Sequence, residues 1–408
     1  MVQLLLSAKQ HHPFCNMASI LSFVSRVYRV FNPPTIEKEP TTLRCGILGA
    51  AKIAPLAIIN PARSHPEFSI DAVAARDEGK AKAFAKRYGI PKTYFGSTGY
   101  QELLDDPNID VIYNPLPNGL HFEWTMKALK AGKHVLLEKP STNSAEDTRR
   151  LFQYANEKGL VLLEAFHSRF HPAIFRLKEI VHSGELGNIK SIAAKFCIPK
   201  LFDENNIRCD FELGGGAYMD QGCYTLAVSR FIANAEPMDI ISAHGINLEN
   251  PKDEPRMRNI DTFMSASFTF PNDVTVHTEV GSRLPGVGFF HLIPHLPIIN
   301  IEVTLEGGTV YLSNFVFPHI YHAITVSPKR GEGRIEKAYI FRNGRTKDEE
   351  WWPTYRYQLE AFVDKVKGRQ PASWMDGEDS ESNMEWIENV YERAGFGVRP
   401  KSKFVMED

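Results

Sequence analysis

Short apolar segments rich in β-forming residues alternate with helical patterns between residue 43 and about residue 165. The apolar segments read LRCGILGA, FSIDAVAAR, IDVIYN, KHVLLEK and LVLLEA, and stretches such as AKAFAKRYG and HFEWTMKALKAG separate them. Strands spaced by helices require right-handed crossovers, which produce a parallel sheet covered by helices on both faces. We therefore predict an α/β domain with a Rossmann-type, doubly wound parallel sheet over residues 43–165.

The pattern changes after a predicted helix at about residues 172–183. Long strand-like segments follow from residue 189 to 345, among them IKSIAAKFCI, TFMSASFTF and INIEVTLEGG, and the turn residues at 271–273 and 307–308 indicate hairpins. Helical stretches at 354–367 and 377–394 close the chain. This predicts a second α+β domain over residues 166–408, with an open, mostly antiparallel sheet that helices or another subunit must cover.

The first 42 residues form an extension ahead of the Rossmann pattern. Lys9, Arg26 and Arg29 precede the first acidic residue at position 37, and apolar residues between 20 and 31 recur at helical spacing. This predicts an amphipathic helix that ends at Asn32-Pro33-Pro34. A mitochondrial presequence would have a similar pattern. We favour a helix that docks its apolar stripe on the body of the protein.

Composition excludes several classes of partner. Lys and Arg number 47 and Asp and Glu number 49, so the formal net charge of -2 provides no positive field for nucleic acid. The apolar runs are far shorter than the ~20 residues of a membrane span. Five cysteines without a C-x-x-C pair, and histidines without ligand spacing, predict no disulfide framework and no metal site. A reducing, cytoplasmic location is the corresponding expectation.

The first predicted strand leads into a turn that resembles a dinucleotide-binding loop. Residues 49–54 read GAAKIA, which matches G-x-G-x-x-[GA] except that Ala51 replaces the second glycine. Such a turn brings backbone N–H groups and a helix N-terminus to a pyrophosphate. Gly49, Ala51, Lys52 and Ile53 are therefore candidate cofactor-binding residues. By itself the motif indicates a structural βα turn equally well.

The second predicted strand ends in Arg76-Asp77, where an acidic residue normally receives the adenine ribose hydroxyls. A guanidinium at this point can pair with a 2′-phosphate, so Arg76 favours NADP over NAD. The alternative is an ordinary solvated arginine at a strand end.

The segment YNPLPNGLH at residues 113–121 follows a buried strand and so lies at the carboxyl edge of the sheet. Pro115, Leu116 and Asn118 belong to a stiff loop that can lie along the cofactor. His121 opens the next helix and is a candidate for a phosphate or ribose contact. Local hydrogen bonds of a histidine at a helix start are an equally good interpretation.

Three further residues are candidates for the chemistry itself. Lys139 lies in the Glu-Lys-Pro triplet that ends another buried strand, where an ammonium can stabilise a developing alkoxide. Asp220 and Tyr224 follow the Gly214–Gly216 cluster and, four residues apart, share one helix face. A nearby lysine favours a phenolate, which suits Tyr224 for general-base catalysis. The alternatives are a solvated lysine, a capping aspartate and a core tyrosine.

Taken together, GILGAAKIA, AVAARD, YNPLPNGLH, AGKHVLLEKP, EAFHSRFHP and GGGAYMDQGCY resemble the Gfo/Idh/MocA oxidoreductases over roughly residues 43–395. The closest branch holds dimeric dihydrodiol dehydrogenases and NADP-dependent D-xylose 1-dehydrogenases. The resemblance implies that Lys139 and Tyr224 lie beside the nicotinamide and that Glu138 and Arg169 contact the cofactor region. It also implies that Asp220 holds substrate hydroxyls and that the chain dimerises through its second sheet.

Our hypothesis is NADP-dependent oxidation of a sugar or polyol hydroxyl, at C1 of an aldopyranose such as D-xylose. Tyr224 removes the hydroxyl proton, Lys139 lowers the pKa of Tyr224 and polarises the oxygen, and Asp220 orients a neighbouring hydroxyl. One alternative is a trans-dihydrodiol or carbonyl oxidoreductase. Another is a non-catalytic NADP-binding regulator.

Overall fold

Two β-sheets organise the chain, a six-stranded one in the N-terminal half and an eight-stranded one in the C-terminal half. The computed structural model describes residues 17–250, 252–286, 295–342 and 348–405. Their arrangement confirms the predicted α/β fold class, in which a parallel Rossmann sheet precedes a mostly antiparallel one.

The first sheet contains only parallel strand pairs and has the order β3-β2-β1-β4-β5-β6. Its strands are β1 (Leu43–Leu48), β2 (Phe68–Ala75), β3 (Lys92–Phe95), β4 (Val111–Asn114), β5 (His134–Leu137) and β6 (Leu162–Glu164). Every residue of β4 and β6 is buried, as expected for a sheet with helices on both faces. The strand order reverses between β1 and β4, which is where ligands bind in such sheets.

Helices connect these strands. A helix numbered α1 (Met17–Phe31) precedes the sheet, and α2 combines a π-helical segment, Pro55–Ile59, with the α-helical turn Asn60–Arg63. The others are α3 (Glu78–Tyr88), α4 (Gly99–Asp105), α5 (His121–Lys130) and α6 (Ala145–Glu157). Local signals set their ends: Asp77 caps the start of α3 by accepting the Lys80 N–H at 2.7 Å, and Gly89 ends it with φ of 72°.

The second sheet has the order β14-β13-β12-β11-β7-β10-β9-β8. Its pairs are antiparallel except that β10 pairs with β7 in parallel. The strands are β7 (Ile189–Pro199), β8 (Asp239–Asn247), β9 (Asp261–Phe270), β10 (Val274–Leu284), β11 (Ile298–Leu305), β12 (Gly308–Ser313), β13 (Ile324–Pro328) and β14 (Arg334–Glu336). The two predicted hairpins join β9 to β10 and β11 to β12.

Four helices accompany this sheet: α7 (Pro172–Val181), α8 (Cys223–Ala233), α9 (Thr354–Val366) and α10 (Gly377–Arg393). Helices α8 and α10 pack against strands of the sheet, while α10 also contacts α6 and α9 contacts α2 of the first domain. Along β9, Met264, Ala266, Phe268 and Phe270 are buried and the residues between them are partly exposed. One face of the sheet is therefore core, and its other face stays accessible.

The helix expected within the N-terminal extension is α1, which lies against the C-terminal domain. Arg26 is buried and donates to the Tyr339 hydroxyl at 2.9 Å, with its guanidinium 3.8 Å from the centre of that ring. Val30 is also buried, whereas Val24 and Tyr28 are exposed. Residues 1–16 of the extension lie outside the described residues. Among those described, no helix combines the length and apolar character that crossing a bilayer requires.

Candidate active site

The loop after β1 lies at the carboxyl edge of the first sheet. We call the junction between this edge and the C-terminal domain, where Lys139 meets Asp220, the cleft. Gly49 adopts φ of +86°, and a side chain there would approach Leu116 to 3.2 Å, so the turn requires glycine. The amides of residues 50–53 have no acceptor among the described residues, and the first amide that donates is that of Ala54, to Ala51 O at 3.2 Å. Lys52 and Ile53 are exposed and Ala51 is half-buried. Four free N–H groups at a helix start suit the pyrophosphate of a dinucleotide.

Arg76 follows directly on β2, at the same edge, and its side chain is exposed. The neighbouring Asp77 uses its carboxylate to cap α3. The guanidinium of Arg76, rather than a carboxylate, is therefore the charged group available to an adenine ribose at this position.

The loop after β4 connects the two walls of the cleft. The buried Leu116 packs beside Gly49, and Pro115 next to it is half-buried. Asn118 donates its side-chain N–H to Gly214 O at 3.1 Å. This bond ties the loop to the glycine cluster of the C-terminal domain.

His121 lies inside the protein rather than at the cleft. Its ring is fully buried, with Nδ1 3.0 Å from Pro140 O and Nε2 2.7 Å from Leu116 O. Burial lowers the pKa of His121 to about 4, so the ring is neutral at pH 7. A neutral ring carries a single N–H, so His121 donates to only one of these two carbonyls, and its contacts are those of the local interpretation. His121 joins the loop after β4 to the loop that carries Lys139.

Lys139 and Asp220 meet between the two domains. Lys139 follows β5, and Asp220 lies in the π-helical turn Tyr218–Gly222 that leads into α8. The ammonium of Lys139 donates to Asp220 Oδ1 at 2.8 Å and to Asp220 O at 2.9 Å. Arg208, on the loop after β7, donates to Asp220 Oδ2 at 2.7 Å and to Oδ1 at 3.3 Å. The carboxylate thus bridges two cations.

The charges of this cluster determine its protonation states. Burial acts to lower the pKa of Lys139, but the Asp220 carboxylate outweighs burial and raises that pKa above its usual value. Burial acts to raise the pKa of Asp220, but Arg208 and Lys139 hold it well below the usual range. Lys139 is therefore a cation and Asp220 an anion at neutral pH.

Tyr224 lies one helical turn after Asp220, and its ring centre is 4.9 Å from the Lys139 ammonium. The rings of Phe166 and His167 pack edge-on against it. Burial raises the pKa of Tyr224 well above 10, and the nearby Tyr355 acts in the same direction. In this structure burial therefore outweighs the expected lowering of this pKa by Lys139. The reason is that Asp220 compensates the lysine's charge while burial disfavours a phenolate.

Glu138 and Arg169 lie on either side of this cluster. Glu138 accepts the Tyr113 hydroxyl at 2.6 Å, and burial raises the pKa of Glu138 above its usual value. Arg169 is paired with Asp379 at 3.3 Å and lies 3.6 Å from the centre of the Phe231 ring. The Arg169 guanidinium therefore already has two partners on the C-terminal domain, Asp379 and Phe231.

Sequence analysis missed two residues of the site. Arg208 lies in an irregular loop without a motif, so only the structure places it on Asp220. Glu164 ends β6 and Glu138 directly follows β5, and a carboxylate at the end of an apolar run was the available signal. Glu164 accepts the Ser141 N–H at 2.7 Å and so fixes the segment that follows Lys139-Pro140. In the described ranges no cluster of His, Cys, Asp and Glu is arranged to hold a metal ion.

Comparison with known proteins identifies the family of this chain. The Gfo/Idh/MocA oxidoreductase model, described as having an NAD-binding Rossmann fold, matches residues 43–166. The Gfo/Idh/MocA C-terminal domain model matches residues 174–310. The chain belongs to the Gfo/Idh/MocA oxidoreductase family. The resemblance found in the sequence is confirmed.

Relatives of this oxidoreductase act on sugars and diols. It is 33% identical over 363 residues to a D-xylose 1-dehydrogenase (NADP(+)) of Haloferax volcanii, covering 86% of this chain and 98% of the relative. It is 38% identical over 194 residues to a trans-1,2-dihydrobenzene-1,2-diol dehydrogenase of Xenopus laevis, covering 48% and 56%. A 3-ketoreductase from Actinomadura kijaniata, solved with NADP and TDP-benzene, has a TM-score of 0.71 at 27% identity and covers 86% of this chain and 98% of that one.

We predict that Glu164 makes the oxidoreductase less stable as the pH rises from about 4.5 to about 8. Burial raises the pKa of Glu164 from 4.5 to about 8. In that range the unfolded chain loses the proton and the folded chain keeps it, so folding is progressively disfavoured. The melting temperature of Glu164→Gln relative to wild type should therefore increase across this range and level off above it. Glu157→Gln, at an exposed position, is the control. A difference that does not change with pH would contradict the prediction.

Proposed function

We propose that this oxidoreductase transfers a hydride between NADP and a sugar or polyol hydroxyl, at C1 of a D-xylose-like aldopyranose. The observation that carries the proposal is the convergence of Lys139, Asp220 and Tyr224 at the cleft between the domains. A cation and a phenol side by side are what proton transfer at a hydroxyl or carbonyl oxygen requires. The NADP-dependent D-xylose dehydrogenase among the relatives supports the substrate class.

Residues of the first domain would hold the coenzyme. The free amides of residues 50–53 and the exposed Arg76 suit the pyrophosphate and a 2′-phosphate. Pro115, Leu116 and Asn118 line the edge between them and Lys139. When bound, the coenzyme would supply or accept the hydride at C4 of its nicotinamide.

Tyr224 and Lys139 would have different roles at the reacting oxygen. Lys139, kept cationic by Asp220, stabilises negative charge on that oxygen. Tyr224 exchanges a proton with the same oxygen, as an acid during reduction and as a base during oxidation. Tyr224 is protonated at neutral pH, and carbonyl reduction uses that proton, so the carbonyl-reducing direction is our second candidate. The 3-ketoreductase among the related structures supports this candidate.

We predict that Lys139→Met lowers kcat for D-xylose oxidation by about 10²-fold or more, because the charge that stabilises the oxyanion is lost. The binding of NADP should change little, and initial rates together with a coenzyme titration measure the two effects. Lys130→Met, at an exposed position at the end of α5, is the control. Full activity of Lys139→Met would exclude the mechanism. Tight NADP binding without turnover of any aldose, diol or carbonyl by the wild type would favour a non-catalytic regulator.

We predict that Arg76→Gln raises the dissociation constant for NADP by about tenfold or more, since a charged hydrogen bond contributes about 1.5–3 kcal/mol. The dissociation constant for NAD, which lacks the 2′-phosphate, should stay within about twofold. Fluorescence titrations with both coenzymes measure this, and Arg87→Gln on the exposed end of α3 is the control. An equal loss for both coenzymes would contradict the assignment.

We further propose that the oxidoreductase is a homodimer whose second sheet packs on that of another copy. The accessible sheet face supports this, because Ser265, Ser267 and Thr269 on β9 point away from the core and are only partly exposed. Ser267→Arg places a long charged side chain on that face and should shift the protein from dimer to monomer in light scattering. Ser183→Arg, at an exposed position after α7, should leave the mass unchanged. A monomeric wild type would contradict the proposal.

A cytoplasmic location also remains our proposal. The described cysteines, Cys45, Cys197, Cys209 and Cys223, are free and buried, which agrees with a reducing compartment. The docking of α1 through Arg26 supports a structural role for the extension over a removable presequence.

A further inference from the structure

A narrow cavity of about 30 Å³ lies beside Asp220, on the side of the C-terminal domain. The loop after β7 contributes Phe202 and Arg208 to its wall, and the strands β9 and β10 contribute Asp261 and Arg283. This space is about that of two water molecules, which suits a single small anionic group and not a whole sugar. Asp220 lines the cavity and also holds Lys139, so one carboxylate separates the cavity from the Lys139 ammonium.

Two carboxylates line the cavity, those of Asp220 and Asp261, and each already pairs with at least one cation. Asp220 is bound by both Lys139 and Arg208, which leaves one positive charge in excess. Asp261 is fully buried and paired with Arg399 at 3.0 Å. Neither carboxylate is therefore available to balance a further cation in the cavity.

Arg283 is that further cation. In the described part of the chain, the one carboxylate within ion-pairing distance of it is Glu204, 3.8 Å away, which lies beyond hydrogen-bond length. Glu204 is closer to Lys200, at 3.4 Å. The Cys209 thiol beside Arg283 is only a weak acceptor. Although its side chain is only 26% exposed, Arg283 thus keeps most of its hydrogen-bonding capacity.

Arg208 presents a second guanidinium to the same cavity. The Nε and Nη2 groups of Arg208 donate to Asp220. Its Nη1 group has only Asn206 Oδ1 as a partner, at 3.5 Å. The guanidinium carbon of Arg208 lies 4.3 Å from the centre of the Phe202 ring, which is a cation–π contact. Two guanidinium groups with unfilled donors suit a group with several anionic oxygens, because planar guanidinium binds carboxylate and phosphate through paired hydrogen bonds.

We propose that this cavity binds an anionic group of the substrate, a carboxylate or a phosphate, on a carbon other than the one that reacts, and that Arg283 determines this specificity. The inference rests on the proposed function and narrows its substrate class from neutral sugars to sugar acids or sugar phosphates. An anion there would balance the excess positive charge without disturbing the bond between Lys139 and Asp220.

The test compares neutral and anionic aldoses with the full chain and NADP. The substrates are D-xylose and D-glucose as neutral sugars, D-glucuronate for the carboxylate and D-glucose 6-phosphate for the phosphate. We expect kcat/KM for at least one anionic aldose to exceed that for D-glucose by about tenfold or more. Arg283→Gln should remove that advantage through KM and leave the neutral sugars within about twofold.

Two variants separate the effect of the charge of Arg283 from the effects of its planar geometry and of its position in the cavity. Arg283→Lys keeps the charge without the planar fork and should retain part of the preference. Arg256→Gln removes an arginine that pairs with Glu254 at 3.0 Å outside the cavity, and it should leave the preference intact. An equal loss on neutral and anionic sugars in Arg283→Gln would overturn the inference, because it indicates a purely structural role. A wild type that prefers neutral sugars would also overturn it, while the proposed function would stand.

A binding experiment keeps the inference testable if no aldose is turned over, in which case the proposed function itself fails. D-glucuronate and D-glucose 6-phosphate should raise the melting temperature of the coenzyme-free protein, and D-glucose should not. Arg283→Gln should abolish the shift. The absence of a shift in the wild type would overturn the anionic cavity.

Discussion

The bond between Lys139 and Asp220 holds the site together, because it joins the end of β5 in the first domain to the turn before α8 in the second. Both side chains are largely removed from water, with 12% and 21% of their surface exposed. A pair in this situation is favourable only when every charge has good partners. Lys139 has two acceptors on Asp220, and Arg208 supplies the carboxylate with a second donor. The same contact thus fixes the Lys139 ammonium and contributes to the junction between the domains.

The same bond governs the electrostatics of the neighbouring phenol. A free ammonium 4.9 Å from the ring of Tyr224 would favour the phenolate, but Asp220 balances it and burial then decides the protonation state. Because Tyr224 stays neutral beside the cationic Lys139, its hydroxyl keeps a proton that it can donate. Substrate or coenzyme that displaces Asp220 from Lys139 would change this balance, so the roles of the two residues are coupled.

Several candidate residues could be placed together from the sequence because strand ends converge in a parallel sheet. Gly49, Arg76 and Lys139 each follow a predicted strand, and the structure brings all three to one edge. The sequence does not show which distant partner a side chain contacts. His121 lies against two backbone carbonyls, of Pro140 and Leu116, and Arg169 pairs with Asp379, more than two hundred positions away. No local pattern contains such partners.

The sequence by itself determined the order and type of the elements, the positions of the glycine turn and the hairpins, and the residues that end each buried strand. These features depend on periodicity and on backbone conformations that neighbouring residues impose. Only the tertiary structure decided that β7 pairs with β10 in parallel, that Arg208 reaches Asp220, and that Tyr224 stays protonated. Strand pairing, ion pairs and pKa shifts sum contributions from residues far apart in the chain, and folding alone brings those residues together.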